Sequence, residues 1–223
     1  MRLTLFFHLV LLFSNCESCS KECKAVRDLP SYHFEIPATL SPTKASFRIG
    51  DTITISSSFG DQVWERSACQ RHPLIDYNFA PELLIENLED TLANARGLYD
   101  FEVIVEARFD FNQWVKADSS TCYSGRYADD RRQYQLAYQL IPQSPGLYCL
   151  THRSAYLEFG NNQDFDGRCP TLETKIAVKL NEGSGNNIHL LHDSPNRRWR
   201  DSLLLQPQER FHNAGGYCFY VIP

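Results

Sequence analysis

The residues best suited to chemistry stand near the start of the chain. Cys16, Cys19 and Cys23 fall in "CESCSKEC", directly behind an apolar run. Thiols at this spacing suit acylation, cross-linking or metal binding. Acylation of Cys16 requires a short apolar core with small residues just ahead of the cysteine, and Ser14 fits while Asn15 departs from that pattern. It would leave an odd number of thiols, one of them free or paired with another molecule. Ordinary signal cleavage after Ser20 is the competing reading, and it leaves an even number. A zinc site is the weakest of the three, because Cys-x2-Cys-x3-Cys has no fourth ligand nearby.

A second constellation, "NQDFDGRCPTLE", follows the spacing of a calcium-binding loop. Asn162, Asp164 and Asp166 offer hard oxygen ligands at alternate positions, Gly167 sits where the loop must turn sharply, and Glu173 would close the cage. Three features depart from the motif: Asn in place of Asp at its start, Pro170 inside the loop, and flanks that read as strands. A polar surface turn is the alternative. His189 and His192 bracket "HLLH" and, read as part of a strand, face opposite sides. Surface or loop residues are the simpler reading of both, and His33, His72, His152 and His212 have no close acidic or cysteine partner in sequence. No G-x-S-x-G, H-E-x-x-H or phosphate-binding glycine loop occurs, and Asp129-Asp130 and Glu89-Asp90 read as solvated pairs. Trp64, Trp114 and Trp199 lie at or near predicted strand ends or loops, where exposed rings stack on sugars or anchor protein contacts.

These residues depend on elements whose context is set by export. Arg2 followed by the apolar Leu3 to Phe13 has the layout of a secretory signal. The run is too short to cross a bilayer, which takes about 20 residues. The reading is a signal peptide over 1–15, a tether over 16–30 and one β-domain over 31–223. Eight cysteines in an exported chain predict disulfides. Cys19, Cys23, Cys69, Cys122, Cys149, Cys169 and Cys218 are the candidates, with on the order of a hundred possible pairings of eight thiols. Asp and Glu number 27 against 22 Lys and Arg, scattered without a basic face, which argues against nucleic-acid binding.

Alternation is the main structural signal. From Tyr99 to Phe111 every odd residue is apolar, predicting one long strand with a buried face; Tyr134, Leu136, Tyr138 and Leu140 repeat the pattern within Arg132 to Ile141. Further strands are predicted at Tyr32–Ile36, Asp51–Phe59, Leu147–Arg153, Thr174–Leu180, Ile188–His192 and Tyr217–Ile222. Ala80–Ala95 is read as a strand through Leu88 and then a short helical turn. Turn residues such as "NEGSGNN" separate the strands. The predicted fold is therefore an all-β antiparallel sandwich with long loops and at most short helices. Cys149 and Cys218 are expected on core strands, paired or buried.

The signal ending at Cys16, "FRIGDTITISSSF", "SPGLYCL", "KLNEGSGNN" and "AGGYCFYVI" together resemble small bacterial envelope lipoproteins of no assigned activity. The strand lead-ins are similar to those of immunoglobulin-like sandwiches. The resemblance implies an extracytoplasmic envelope protein, lipid-anchored in the membrane through Cys16, with an immunoglobulin-like β-sandwich and no catalytic residue to transfer. The expected role is non-catalytic, structural or recognition, with a protein or glycan ligand. Free secretion, a calcium-stabilised carbohydrate-binding module and a secreted hydrolase with a site assembled from distant residues are the alternatives.

Overall fold

The computed structural model describes residues 32–75, 77–90, 97–116, 120–130, 132–156 and 174–223. Its strands, in chain order, are β1 (Tyr32–Ser41), β2 (Ser46–Arg48), β3 (Ile53–Gly60), β4 (Gln62–Glu65), β5 (Gln70–Pro73), β6 (Phe79–Asn87) and β7 (Phe101–Val105). They continue with β8 (Phe111–Val115), β9 (Thr121–Gly125), β10 (Ala128–Asp130), β11 (Gln133–Pro142), β12 (Gly146–Tyr156), β13 (Thr174–Leu180) and β14 (Gly216–Ile222). One short helix, α1 (Arg197–Leu205), lies between β13 and β14. No helix among the described residues is long and apolar enough to cross a membrane.

Two sheets face each other. The first runs β10–β11–β3–β1–β4–β5, with β13 beside β1 and β7 beside β11; the second runs β2–β14–β12–β6–β9–β8. Pairing is antiparallel except for β1 with β13 and β14 with β2. Alternation produces this arrangement directly. Phe34, Ile36, Ile53, Ile55, Tyr138 and Leu140 point inward from the first sheet, and Leu83, Ile85, Leu150, Tyr217 and Phe219 from the second, into one core. Burial of each such side chain contributes about 1.5–3 kcal/mol. Rings meet across the gap, as where Phe111 stacks on Tyr138 at 4.9 Å. The all-β sandwich with short helices is thus the fold.

Two predicted strands differ in the structure. Tyr99–Phe111 is a 3-10 turn (Gly97–Asp100), then β7, then a tight turn, then β8. The turn closes where the Phe109 amide donates to the Glu106 carbonyl at 2.9 Å. It carries the chain from one sheet to the other without changing parity, so Phe101 and Phe111 both face the core from different sheets. The period of two therefore runs on across a break in the strand. Ile188–His192 is not a strand but part of a 3-10 turn, Ile188–Asp193, entered through a left-handed Asn187 (φ 54°). A strand would send the adjacent Leu190 and Leu191 to opposite faces, whereas the turn buries both. His189 and His192 are exposed on it. For Ala80–Ala95, β6 ends at Asn87; residues 91–96 lie outside the described residues.

The 3-10 turn, α1 and a π-type turn at Gln208–His212 form a cap on the outer side of the second sheet. Leu190, Leu191, Leu203 and Phe211 pack there on Leu88, Leu147, Cys149 and Cys218. Polar side chains fasten the cap at its edges. Ser194 Oγ donates to the Leu88 carbonyl at 2.8 Å, and Asn196 Nδ2 to the Asp90 carbonyl at 2.6 Å. Asn196 also caps α1 by accepting from the Trp199 amide.

Candidate functional site

The second sheet is covered unevenly. Its β14–β12 half lies under the cap, and its other end is the hairpin of β8 and β9. Every residue of β8 after Phe111 is exposed. Register fixes what this edge offers. Phe111 pairs with Gly125, Gln113 with Tyr123 and Val115 with Thr121. The Lys116 amide donates to the Ser120 carbonyl, and the Arg126 amide to the Asp110 carbonyl. Positions 110 and 116 therefore turn their main-chain groups toward the partner strand, and alternation assigns the same to 112 and 114. The N–H and C=O groups of Phe111, Gln113 and Val115 point away from β9, along the open edge.

Side chains complete the corner. Trp114 is 61% exposed and Val115 66%, on opposite faces of the strand. Tyr99, 63% exposed, is tied to the same corner, since the buried Thr121 Oγ1 donates to its hydroxyl at 2.8 Å. Lys116 reaches Glu82 of β6 at 2.7 Å, pinning the end of β8 to the sheet. Gly125 makes the hairpin's inner end possible, because a Cβ there would overlap the Asp110 carbonyl. An apolar, hydrogen-bonding strand edge held on a rigid scaffold can accept a further strand, or present Trp114 as a stacking surface.

A second cluster lies between the sheets. His152 of β12 is fully buried, its Nδ1 3.0 Å from the Tyr138 hydroxyl of β11 and its Nε2 3.5 Å from the Tyr127 hydroxyl. Tyr127 is hydrogen-bonded to Ser57 of β3, whose hydroxyl donates to the Pro37 carbonyl of β1. Burial lowers the His152 pKa from the usual 6.5 to about 4, so the imidazole is neutral. Burial likewise pushes both tyrosine hydroxyls up. Neutral, mutually hydrogen-bonded groups at this depth hold the sheets in register. His72 is buried as well, although neither histidine has a sequence neighbour that marks it. Sequence offered no signal for the cluster, because its members are far apart along the chain.

Of the predicted site residues, Cys16, Cys19, Cys23 and Cys169, and the calcium set Asn162, Asp164, Asp166 and Glu173, lie outside the described residues. Among the described residues no group of three or more His, Cys, Asp or Glu could hold a metal ion. Cys69 is exposed in a left-handed turn (φ 53°) and Cys122 is buried on β9. Cys149 and Cys218 are both buried on core strands, as expected, and are not bonded to each other. Trp114 is the exposed tryptophan of the corner, Trp64 on β4 is 37% exposed, and Trp199, on α1, is partly buried against the apolar cluster of the cap.

Fold and edge define a β-sandwich with, among the described residues, one sheet corner open to solvent. No protein-family model and no curated protein matches the chain. Among solved structures it is similar to the human F-spondin reeler domain, at 11% identity over 58% of this chain and 81% of that one, with a TM-score of 0.33. It is also similar to the second type II cohesin module of the cellulosomal adaptor ScaA scaffoldin of Acetivibrio cellulolyticus, at 7% identity over 64% and 92%, TM-score 0.28. A non-cellulosomal cohesin from Archaeoglobus fulgidus gives 10% identity over 72% and 98%, TM-score 0.23. At this distance neither ligand nor role passes from these proteins to this chain.

Proposed function

We propose that the chain is an exported, lipid-tethered recognition module that binds an extended polypeptide along β8. The observation that carries this reading is the edge itself: outward main-chain groups at 111, 113 and 115, flanked by exposed Trp114, Val115 and Tyr99. Strand addition draws affinity from the main chain and selectivity from alternate side chains. The role is non-catalytic. Export and the anchor at Cys16 rest on the apolar run and cysteine at the start of the chain.

Phage-displayed random peptides selected on the immobilised mature chain supply the probe, and two variants test the mode of binding. Gln113→Pro removes an outward N–H at an edge position that tolerates proline, so folding is retained. Trp114→Ala removes the ring. A polypeptide paired with β8 loses at least about tenfold in affinity with either variant. A ligand that only stacks on the ring, as a glycan would, loses affinity with Trp114→Ala and is indifferent to Gln113→Pro. Enrichment of no peptide, or of peptides insensitive to both variants, removes β8 as the site.

A further inference from the structure

We infer that Cys149 and Cys218, both free thiols in this structure, oxidise to a cross-strand disulfide beneath the helical cap, a pairing that sequence alone leaves among many. The two residues stand directly opposite each other in the β12–β14 ladder. The Cys218 amide donates to the Asn186 carbonyl at 3.1 Å, and its own carbonyl accepts from Asn187 Nδ2 at 3.0 Å. Neither main-chain group of Cys218 is therefore turned toward Cys149. On the far side of β12, the Leu147 carbonyl accepts from the Leu88 amide, which directs Cys149, two residues on, away from β14 as well. The pair thus occupies a non-hydrogen-bonded site, where opposed Cα atoms approach to about 4.5 Å. Disulfides span Cα separations of about 4.4–6.8 Å.

Both side chains project to the same outer face and are enclosed there by Leu190, Leu191, Leu203 and Phe211. Cys149 is 2% exposed and Cys218 0%. Burial, then the hydrogen bond with Cys149, raises the Cys218 thiol pKa well above its ordinary value. A thiol held in this way does not react while the cap is closed. Oxidation accordingly belongs to folding, before the cap seats on the sheet. The oxidant is an external disulfide, either a small one or that of a thiol oxidase. One cysteine thiolate attacks it and releases one thiol, leaving a mixed disulfide. The second thiolate then displaces the remaining oxidant sulfur. Two electrons and two protons pass from the cysteine pair, and the oxidant leaves as two thiols. The product joins the last strand of the chain to the middle of its sheet.

The test uses the full mature chain, reduced, unfolded and refolded with oxidised and reduced glutathione, then alkylated under denaturing conditions. Peptide mapping without reductant should recover the Cys149 and Cys218 peptides as one linked species. The oxidised chain should melt on the order of 10 °C above the reduced one. Cys149→Ala combined with Cys218→Ala should abolish the linked species and the response of the melting temperature to reductant. Recovery of both cysteines alkylated after oxidative refolding, or either one joined to a different cysteine, overturns the inference. The mapping is done on the unaltered sequence, so this result stands whether or not the double variant folds. It is also independent of peptide binding at β8.

Discussion

His152 carries a cost that is set by pH. Its imidazole is neutral in the fold, with a pKa lowered by burial to about 4, and takes up a proton near 6.5 once the chain is unfolded. Between these values the unfolded chain binds the extra proton, so stability is complete above about pH 6.5 and falls as pH drops toward 4. The full loss is about 3 kcal/mol, from roughly 1.4 kcal/mol per unit of displacement. Urea midpoints measured from pH 7 to pH 4.5 should fall steadily in the natural chain and noticeably less in His152→Gln, which keeps a hydrogen-bonding group but does not titrate. Equal slopes in the two proteins would assign the acid sensitivity to other groups. Nothing in the sequence announced this residue. Its hydroxyl partners, Tyr138 and Tyr127, are 14 and 25 positions away, and only the facing of the two sheets brings them together.

Elements were legible in proportion to how evenly they are half-buried. β11 is legible because Tyr134, Leu136, Tyr138 and Leu140 are buried in the core while the residues between them are not. β8 gave no such signal: after Phe111 it is exposed on both sides, so the property that makes it a candidate edge also hides it from any period. Trp114 is recognisable in the sequence as a contact residue, but its companions Tyr99 and Val115 are not, since alternation places Tyr99 within one long strand. The partnership of Cys149 with Cys218 required a register, which hydrophobic pattern does not supply. At this scale Gly125 offers the cleanest test. Replacing it with Ala sets a methyl against the Asp110 carbonyl, and the hairpin must shift, at about 1–3 kcal/mol. Chemical denaturation should show that loss, and peptides selected on β8 should bind more weakly to Gly125→Ala. Unchanged stability would mean that the hairpin yields easily and is a poor scaffold for recognition.

Taken whole, the molecule has a scaffold closed at the cap and open at β8, preceded by a cysteine at the foot of an apolar run. An intact mass of the protein from its native host is expected to begin at Cys16 and to carry a diacylglycerol-type adduct. An unmodified chain beginning after Ser20 would replace the tether with free secretion. The strand order has a consequence for how such a chain is made. β14, the last strand in chain order, lies inside its sheet between β12 and β2, and β13 runs along β1, with Thr174 opposite Tyr32. Strands separated by most of the sequence must meet before either sheet is complete, and assembly dominated by such contacts takes on the order of milliseconds to seconds. While the polypeptide is still emerging from the ribosome, β1 can pair with β3 and β4, and β4 with β5, but β1 still lacks β13 and β12 still lacks β14. Until those late strands arrive both sheets expose unpaired edges and apolar faces, which makes the nascent chain a client for chaperones.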